Sequence, residues 1–222
     1  MTPAFLVFDL DGTLIDGYAA IADALSFAMK RLDASPLPVE KVRGMVGHGL
    51  EKLLEQAVGP ARAGEGVRLF RERYAQVAVD QTTLMPDVPD VLAALSRKGH
   101  LMAVASNKPS TFSRRILEAK GVARFFLAIG GPDSETPAKP NPAMLYRLMN
   151  VAATAPSQTV VIGDMEVDSE FARAAGCRVV LVTGGSRTEK ELAAVDKDGL
   201  LDRLAMLPEW LEGTQLGAGG PS

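Results

Sequence analysis

Ala4-Phe5-Leu6-Val7-Phe8-Asp9-Leu10-Asp11-Gly12-Thr13 sets five apolar residues in an unbroken run against two acids and an Asp-Gly turn. A strand that is apolar at nearly every position needs cover on both faces, which a parallel sheet flanked by helices supplies. Four later runs share that character: Leu101 to Ala105, Phe126 to Ile129, Thr159 to Ile162 and Arg178 to Val182. Each reads as a buried strand. Between them the apolar spacing becomes helical, over Val88 to Lys98, Pro109 to Lys120, Pro142 to Val151 and Val167 to Ala175, with Gly99, Gly121 and Gly176 at the stops. Alternating helix and strand implies right-handed crossovers. The expected fold is therefore α/β, a doubly wound Rossmann-like parallel sheet.

The stretch after the first strand breaks this alternation. Ala19 to Leu32, Gly49 to Val58 and Arg62 to Val79 read as helices with no strand-like run between them. An insertion there rises from the carboxyl edge of the sheet, where open α/β folds bind ligands, and so occupies the position of a lid. The expected organisation is a discontinuous core, residues 1–15 and 86–222, carrying a helical cap, residues 16–85. From residue 212 the chain reads EGTQLGAGGPS, too rich in glycine and small polar residues to pack, and a flexible tail is expected.

Composition excludes several functions. The net charge is -3, with Lys and Arg dispersed along the chain, so no basic stripe is available to a nucleic-acid backbone and nucleic acid is not an expected partner. No apolar run is long enough for a bilayer, and the N-terminal residues lack a signal peptide's basic region and cleavage site, so a cytoplasmic protein without a membrane partner is expected. The single Cys177 cannot form an intramolecular disulfide and reads as core. A monomer and a homodimer fit equally well.

The residues able to carry chemistry fall at strand ends. Asp9 and Asp11, at i and i+2, can leave the first strand on one side, where two carboxylates about 4 Å apart repel by roughly 4 kcal/mol at an effective dielectric of 20. A cation or shared proton would relieve them; alternatively the segment is only an acidic turn. Ser106 and Asn107 stand where a strand meets a helix N-terminus, suited either to phosphate oxygens or to simple capping. Lys139, in a proline-rich loop, is a solvated charge or, pointing inward, a fixed positive charge beside the acids. Asp164 and Asp168 share a helix face at i and i+4, as a ligand pair or as acids favoured by the macrodipole. His48, between Gly47 and Gly49, either lies over a bound substrate or is an exposed loop histidine. All four strand-end groups gather on one sheet edge, which independent accidents would not produce.

DLDGTLID, ASNKP, KPNP and GDMEVD, in that order, resemble the four motifs of the haloacid-dehalogenase-like hydrolase superfamily. The helical insertion after the first motif resembles its cap. ASNKP, the VGHGL segment and the length are most similar to phosphoglycolate phosphatases and their close relatives. The resemblance implies a Mg²⁺-dependent phosphatase of small phosphorylated metabolites. Asp9 would be the nucleophile and form an aspartyl-phosphate, with Asp11 as general acid and base. Mg²⁺ would lie on Asp9, Asp164 and the Asp11 backbone carbonyl, with Asp168 behind them orienting a metal-bound water or Lys139. Ser106, Asn107, Lys139 and the backbone near Asp11 and Gly12 would hold the phosphoryl oxygens, and His48 the leaving group. A phosphomutase or pyrophosphatase of the same superfamily is the nearest rival, and a receiver-like signalling domain a more distant one. Two departures stand out: Gly17, where such relatives usually carry serine, and Met165, where a small hydroxyl residue is common.

Overall fold

The computed structural model describes residues 4–133 and 136–214. The chain begins with β1 (Phe5–Phe8), turns through β2 (Ile15–Asp16) and enters four helices, α1 (Tyr18–Arg31), α2 (Val39–Met45), α3 (Leu50–Val58) and α4 (Pro60–Val77). It returns by β3 (Thr83–Leu84) to an alternating series: α5 (Val88–Arg97), β4 (Leu101–Ala105), α6 (Ser110–Ala119), β5 (Ala128–Gly130), α7 (Ala143–Ala152), β6 (Thr159–Gly163), α8 (Glu166–Ala174) and β7 (Arg178–Val182). Helix α9 (Glu189–Ala193), strand β8 (Gly199–Leu201) and helix α10 (Leu207–Gly213) complete it.

Six strands form one parallel sheet in the order β5-β4-β1-β6-β7-β8. The pleat sends alternate side chains to opposite faces, and the two apolar clusters divide accordingly. Leu6, Phe8, Val104, Val160 and Ile162 enter one cluster, while Phe5, Val7, Ala103, Ala105 and Val161 enter the other. Both faces of β1 are thus covered, which explains its unbroken apolar run. The chain places β4 and β5 on one side of β1 and β6, β7 and β8 on the other. The crevice where strand order reverses therefore opens at the carboxyl end of β1.

Helices α1 to α4 form the cap, inserted directly after the first strand as expected. Two of its features are not legible in the sequence. Strands β2 and β3 pair antiparallel, Ile15 with Leu84 and Asp16 with Thr83, and tie together the entry to and the exit from the cap. Two-residue strands carry no periodicity for a sequence to display. Helix α2 comes directly after the proline-punctuated Ser35-Pro36-Leu37-Pro38 and buries only Val42, too little for an amphipathic stripe. In the core, the strand expected over Phe126 to Ile129 is shorter, since β5 starts at Ala128 after a 3₁₀ turn over Ala123–Phe125. Phe125 and Phe126 owe their apolar character to packing on the core. The tail expected from residue 212 overlaps α10, which runs to Gly213, and residues 215–222 lie outside those described.

Buried His100 staples the sheet's lower edge, its Nδ1 accepting the Ala4 N–H at 3.0 Å. Burial pushes the imidazole below its ordinary value of 6.5, and the bond from Ala4 needs Nδ1 unprotonated. As pH falls through 6.5 the unfolded chain takes up this proton before the folded one does, so the stability is complete above 6.5 and declines below it. Thermal unfolding followed against pH is expected to show this decline in the native protein and a shallower one in His100→Gln.

Candidate active site

After Phe8 the chain makes one tight loop. Leu14 and Ile15 both donate their N–H to Leu10 O, at 2.9 and 3.0 Å, and Gly12 N–H donates to Ile15 O at 2.8 Å. Gly12 has φ +88, in the left-handed region, and a β-carbon there would lie 2.4 Å from Asp164 Oδ2 and 2.6 Å from the Tyr18 hydroxyl. Only glycine lets Asp164 close onto the loop that carries Asp9 and Asp11.

Lys139 does point inward. Its ammonium donates to Asp9 Oδ1 and to Asp168 Oδ1, each at 2.6 Å, from a side chain only 2% exposed. The alternative of a solvated loop charge is therefore wrong, and Asn107 shows why the loop turns in. Asn107 Oδ1 accepts the Lys139 N–H at 2.6 Å, and its Nδ2 donates to Lys139 O at 3.1 Å and to Gly47 O of the cap at 2.8 Å. The Asn107 amide thus organises the lysine loop and the cap, and the residue lines the same cavity as Asp9.

Asp168 divides its two oxygens between Lys139 and the start of α8. One oxygen takes Lys139, while Oδ2 accepts the N–H groups of Asp164 and Met165 at 3.1 and 3.2 Å, at the first turn of α8. Asp164, fully buried, accepts the Ser186 N–H at 2.5 Å. Carboxylate oxygens of Asp9, Asp164 and Asp168 come within 4.8 Å of one another.

Crowding these acids in a buried site has an electrostatic cost. Burial pushes the Asp9 carboxyl up to about 7, the Asp168 and Asp11 charges adding to the rise and Lys139 opposing it. Burial, then Asp9 and Asp168, likewise hold Asp164 well above the usual carboxylate range. Burial alone would lower Lys139, but Asp168 and Asp9 hold its ammonium above its ordinary range. Three carboxylates around one ammonium leave an excess of negative charge that a divalent cation offsets, and an all-oxygen donor set suits a hard ion such as Mg²⁺.

Lys108 is a site residue that the sequence reading does not single out. Its ammonium donates to Asp11 Oδ1 at 2.8 Å, with both side chains nearly buried, and lies 5.1 Å from the Tyr74 ring centroid. The available signal is its place in ASNKP, two residues beyond Ser106 at the end of a strand. Ser106 itself is buried, and its Oγ accepts the Lys108 N–H at 3.2 Å, so the hydroxyl shapes this turn while lining the same cavity as Asp9.

His48 is placed elsewhere than over a leaving group. Its exposed imidazole turns to Glu166, Nε2 to Oε1 3.6 Å, and it is not among the residues lining the cavity. Both departures have local consequences. A β-carbon at Gly17 would lie 2.8 Å from Asp11 Oδ1, so glycine leaves room for the Asp11–Lys108 pair. Met165 abuts Gly47 so closely that a β-carbon there would lie 2.3 Å from its sulfur, which seals the seam between core and cap.

The site opens into a cavity between the sheet edge and the cap, lined by Asp9, Asp11, Ser106, Lys139 and Asp168 on the core side. The sequence profile described as Haloacid dehalogenase-like hydrolase matches residues 6–182, most of the chain and all four strand-end groups. This chain belongs to the haloacid dehalogenase-like hydrolases. This hydrolase is 34% identical over 216 residues to a phosphoglycolate phosphatase of Pseudomonas putida, covering 93% of the chain and 79% of that relative. It is 33% identical to a phosphoglycolate phosphatase of Vibrio parahaemolyticus, covering 92% and 94%. A crystal structure described as a predicted phosphoglycolate phosphatase from Haemophilus somnus superposes with a TM-score of 0.86 at 28% identity, over 95% of this chain and 99% of that one. The buried acid cluster and the family together mark the hydrolase as a catalytic phosphatase. Among the described residues no helix is long and apolar enough to cross a membrane.

Proposed function

We propose that this hydrolase cleaves a phosphomonoester of a small metabolite with Mg²⁺, through an aspartyl-phosphate on Asp9. The observation that carries the reading is the Lys139 ammonium bridging Asp9 and Asp168 at 2.6 Å inside an acid cluster. A phosphate dianion approaches a carboxylate only where positive charge has been fixed in advance. Asp9 and Asp164, with the Asp11 backbone carbonyl, would hold the ion, since both oxygens of Asp168 are already engaged. When bound, Mg²⁺ neutralises charge on the transferring group and helps the nucleophile approach it.

The chain's own groups then divide the work. Asp9 forms its bond to phosphorus as the ester P–O bond breaks, and Asp11 gives a proton to the departing alcohol oxygen. Asp11 next takes a proton from the water that attacks the acyl-phosphate, releasing inorganic phosphate and restoring Asp9. Lys108, on Asp11 Oδ1, positions that carboxyl between the two steps. Ser106 and the backbone around Gly12 would hold the phosphoryl oxygens.

The named activity of its relatives makes 2-phosphoglycolate the first substrate to assay. Phosphate release from a panel of phosphomonoesters is expected with Mg²⁺ and to fall at least about 10²-fold in EDTA, with recovery when Mg²⁺ is restored. Turnover unaffected by EDTA would overturn the proposed metal requirement.

A further inference from the structure

The charged side chains that line the cavity divide by origin. Those of the core are engaged with one another, Lys139 on Asp9 and Asp168, and Lys108 on Asp11. The cap wall is largely apolar, with Val46, Leu50, Leu53 and Phe70, and among the described residues lining it Arg71 is the one charge the cap supplies. Helix α4 sets its place. Phe70 and Tyr74, at i and i+4, stack with centroids 5.3 Å apart on the face turned to the cavity, and Arg71 borders that face one turn before Tyr74. The buried Tyr74 ring lies 5.1 Å from the Lys108 ammonium, which holds Asp11 Oδ1 at 2.8 Å. The turn of α4 that carries Arg71 is therefore docked beside the group that protonates the departing alcohol.

Arg71 is held only weakly where it stands. Its Nη2 lies 3.4 Å from Glu51 Oε1, with the two side chains 52% and 69% exposed, and Glu51 is not among the residues lining the cavity. Water screens such a pair, so it contributes little and gives way readily. A carboxylate carried by the substrate would meet the same guanidinium against an apolar wall, where less water competes, and a planar fork can take both of its oxygens. The phosphoryl group occupies the core side, so the leaving group extends from Asp11 toward the cap. A carboxylate on the carbon that carries the ester oxygen stands only two bonds beyond that oxygen, on the side where Arg71 borders the cavity.

We infer that Arg71 reads a second anionic group on the substrate, exchanging Glu51 for a carboxylate on the ester carbon, and that the preferred substrate is thereby the phosphate ester of a short 2-hydroxy acid. This rests on the phosphomonoester reading above and assigns a specificity residue to the same site. The core handles the phosphate, and the cap tells a carboxylate-bearing leaving group from a neutral one of the same length. Discrimination is bounded by the same exchange. When the carboxylate is missing Arg71 returns to Glu51, so no buried charge is stranded, and the preference is that of one charge-assisted contact, about 10- to 100-fold.

The test compares 2-phosphoglycolate with ethyl phosphate, which has the same two-carbon skeleton without the carboxylate, on the native protein and on Arg71→Gln, both with Mg²⁺. Comparing each ester with itself across the substitution cancels differences between the leaving groups. In Arg71→Gln, kcat/KM for 2-phosphoglycolate is expected to fall about 10- to 100-fold, mostly through KM, while that for ethyl phosphate stays within about two-fold. Arg71→Lys is expected to keep part of the preference, since the charge remains but the fork is lost. Glu51→Gln is expected to leave KM for 2-phosphoglycolate equal to or below the native value, because the competing carboxylate is gone. Equal losses on both esters in Arg71→Gln, or undiminished turnover of 2-phosphoglycolate, overturns the inference, as does a raised KM in Glu51→Gln. Phosphate release from neither ester by the native protein would strike the phosphatase reading itself and the inference with it.

Discussion

Replacing Asp9 by asparagine is expected to reduce phosphate release by about 10⁴-fold or more, the scale on which removing a covalent nucleophile acts. The same change is expected to leave the unfolding midpoint equal to or above that of the native protein without metal. The reason is electrostatic. A carboxyl pushed up to about 7 by burial and by neighbouring acids is less at ease charged in the folded site than in water. An uncharged amide of the same shape removes that repulsion and can still accept from Lys139. Activity and stability moving in opposite directions mark a site held together against its own charge. Parallel losses of both would mean that Asp9 serves the fold.

The second large effect belongs to Lys139. Lys139→Met removes the ammonium between Asp9 and Asp168, leaving two acids packed without their common partner. Breaking a buried pair in this way costs about 3–5 kcal/mol, and in a chain of this size that lowers the unfolding midpoint by roughly 6–20 °C. Activity is expected to fall about 10³-fold, because the fixed charge facing the phosphate is lost as well. Lys139→Arg is not expected to rescue it. A planar guanidinium cannot place one nitrogen at hydrogen-bond distance from both carboxylates in the space of an ammonium. Calorimetry and a phosphate-release assay on both variants check this, and a Lys139→Met protein as stable as the native one would contradict it.

These two residues also show how far the sequence can be read. Asp9 is legible because strand geometry fixes where side chains leave the end of an apolar run; the same rule locates Ser106 and Asp164 at one sheet edge, and the i+4 spacing from Asp164 brings in Asp168. Lys139 is legible only jointly with those acids. Alone in a Pro-Asn-Pro loop it carries no sign of its direction, which is set by the Asn107 side chain, 32 residues away in sequence, bonding to its backbone. Tertiary hydrogen bonds of that kind leave no periodic trace. For the same reason Lys108 shows in the sequence only by its place in ASNKP, its role depending on where Asp11 points after a loop tightened by Gly12. His48 is misplaced by composition: a histidine between two glycines looks like a group aimed at a ligand, whereas Glu166 on α8 gives it a closer partner. The β2–β3 pair and helix α2 escape because neither buries enough apolar surface to pattern its sequence.

The most direct measurement is chemical trapping of the intermediate. Protein quenched during turnover with Mg²⁺ and a substrate from the panel is reduced with borohydride, which converts an acyl-phosphate on aspartate to homoserine, and the peptides are sequenced by mass spectrometry. Homoserine at residue 9, absent without substrate, is the predicted result. Steady phosphate release with Asp9 recovered unmodified, or with the modification on Asp11 or Asp164 instead, would contradict Asp9 as the group that bonds to phosphorus.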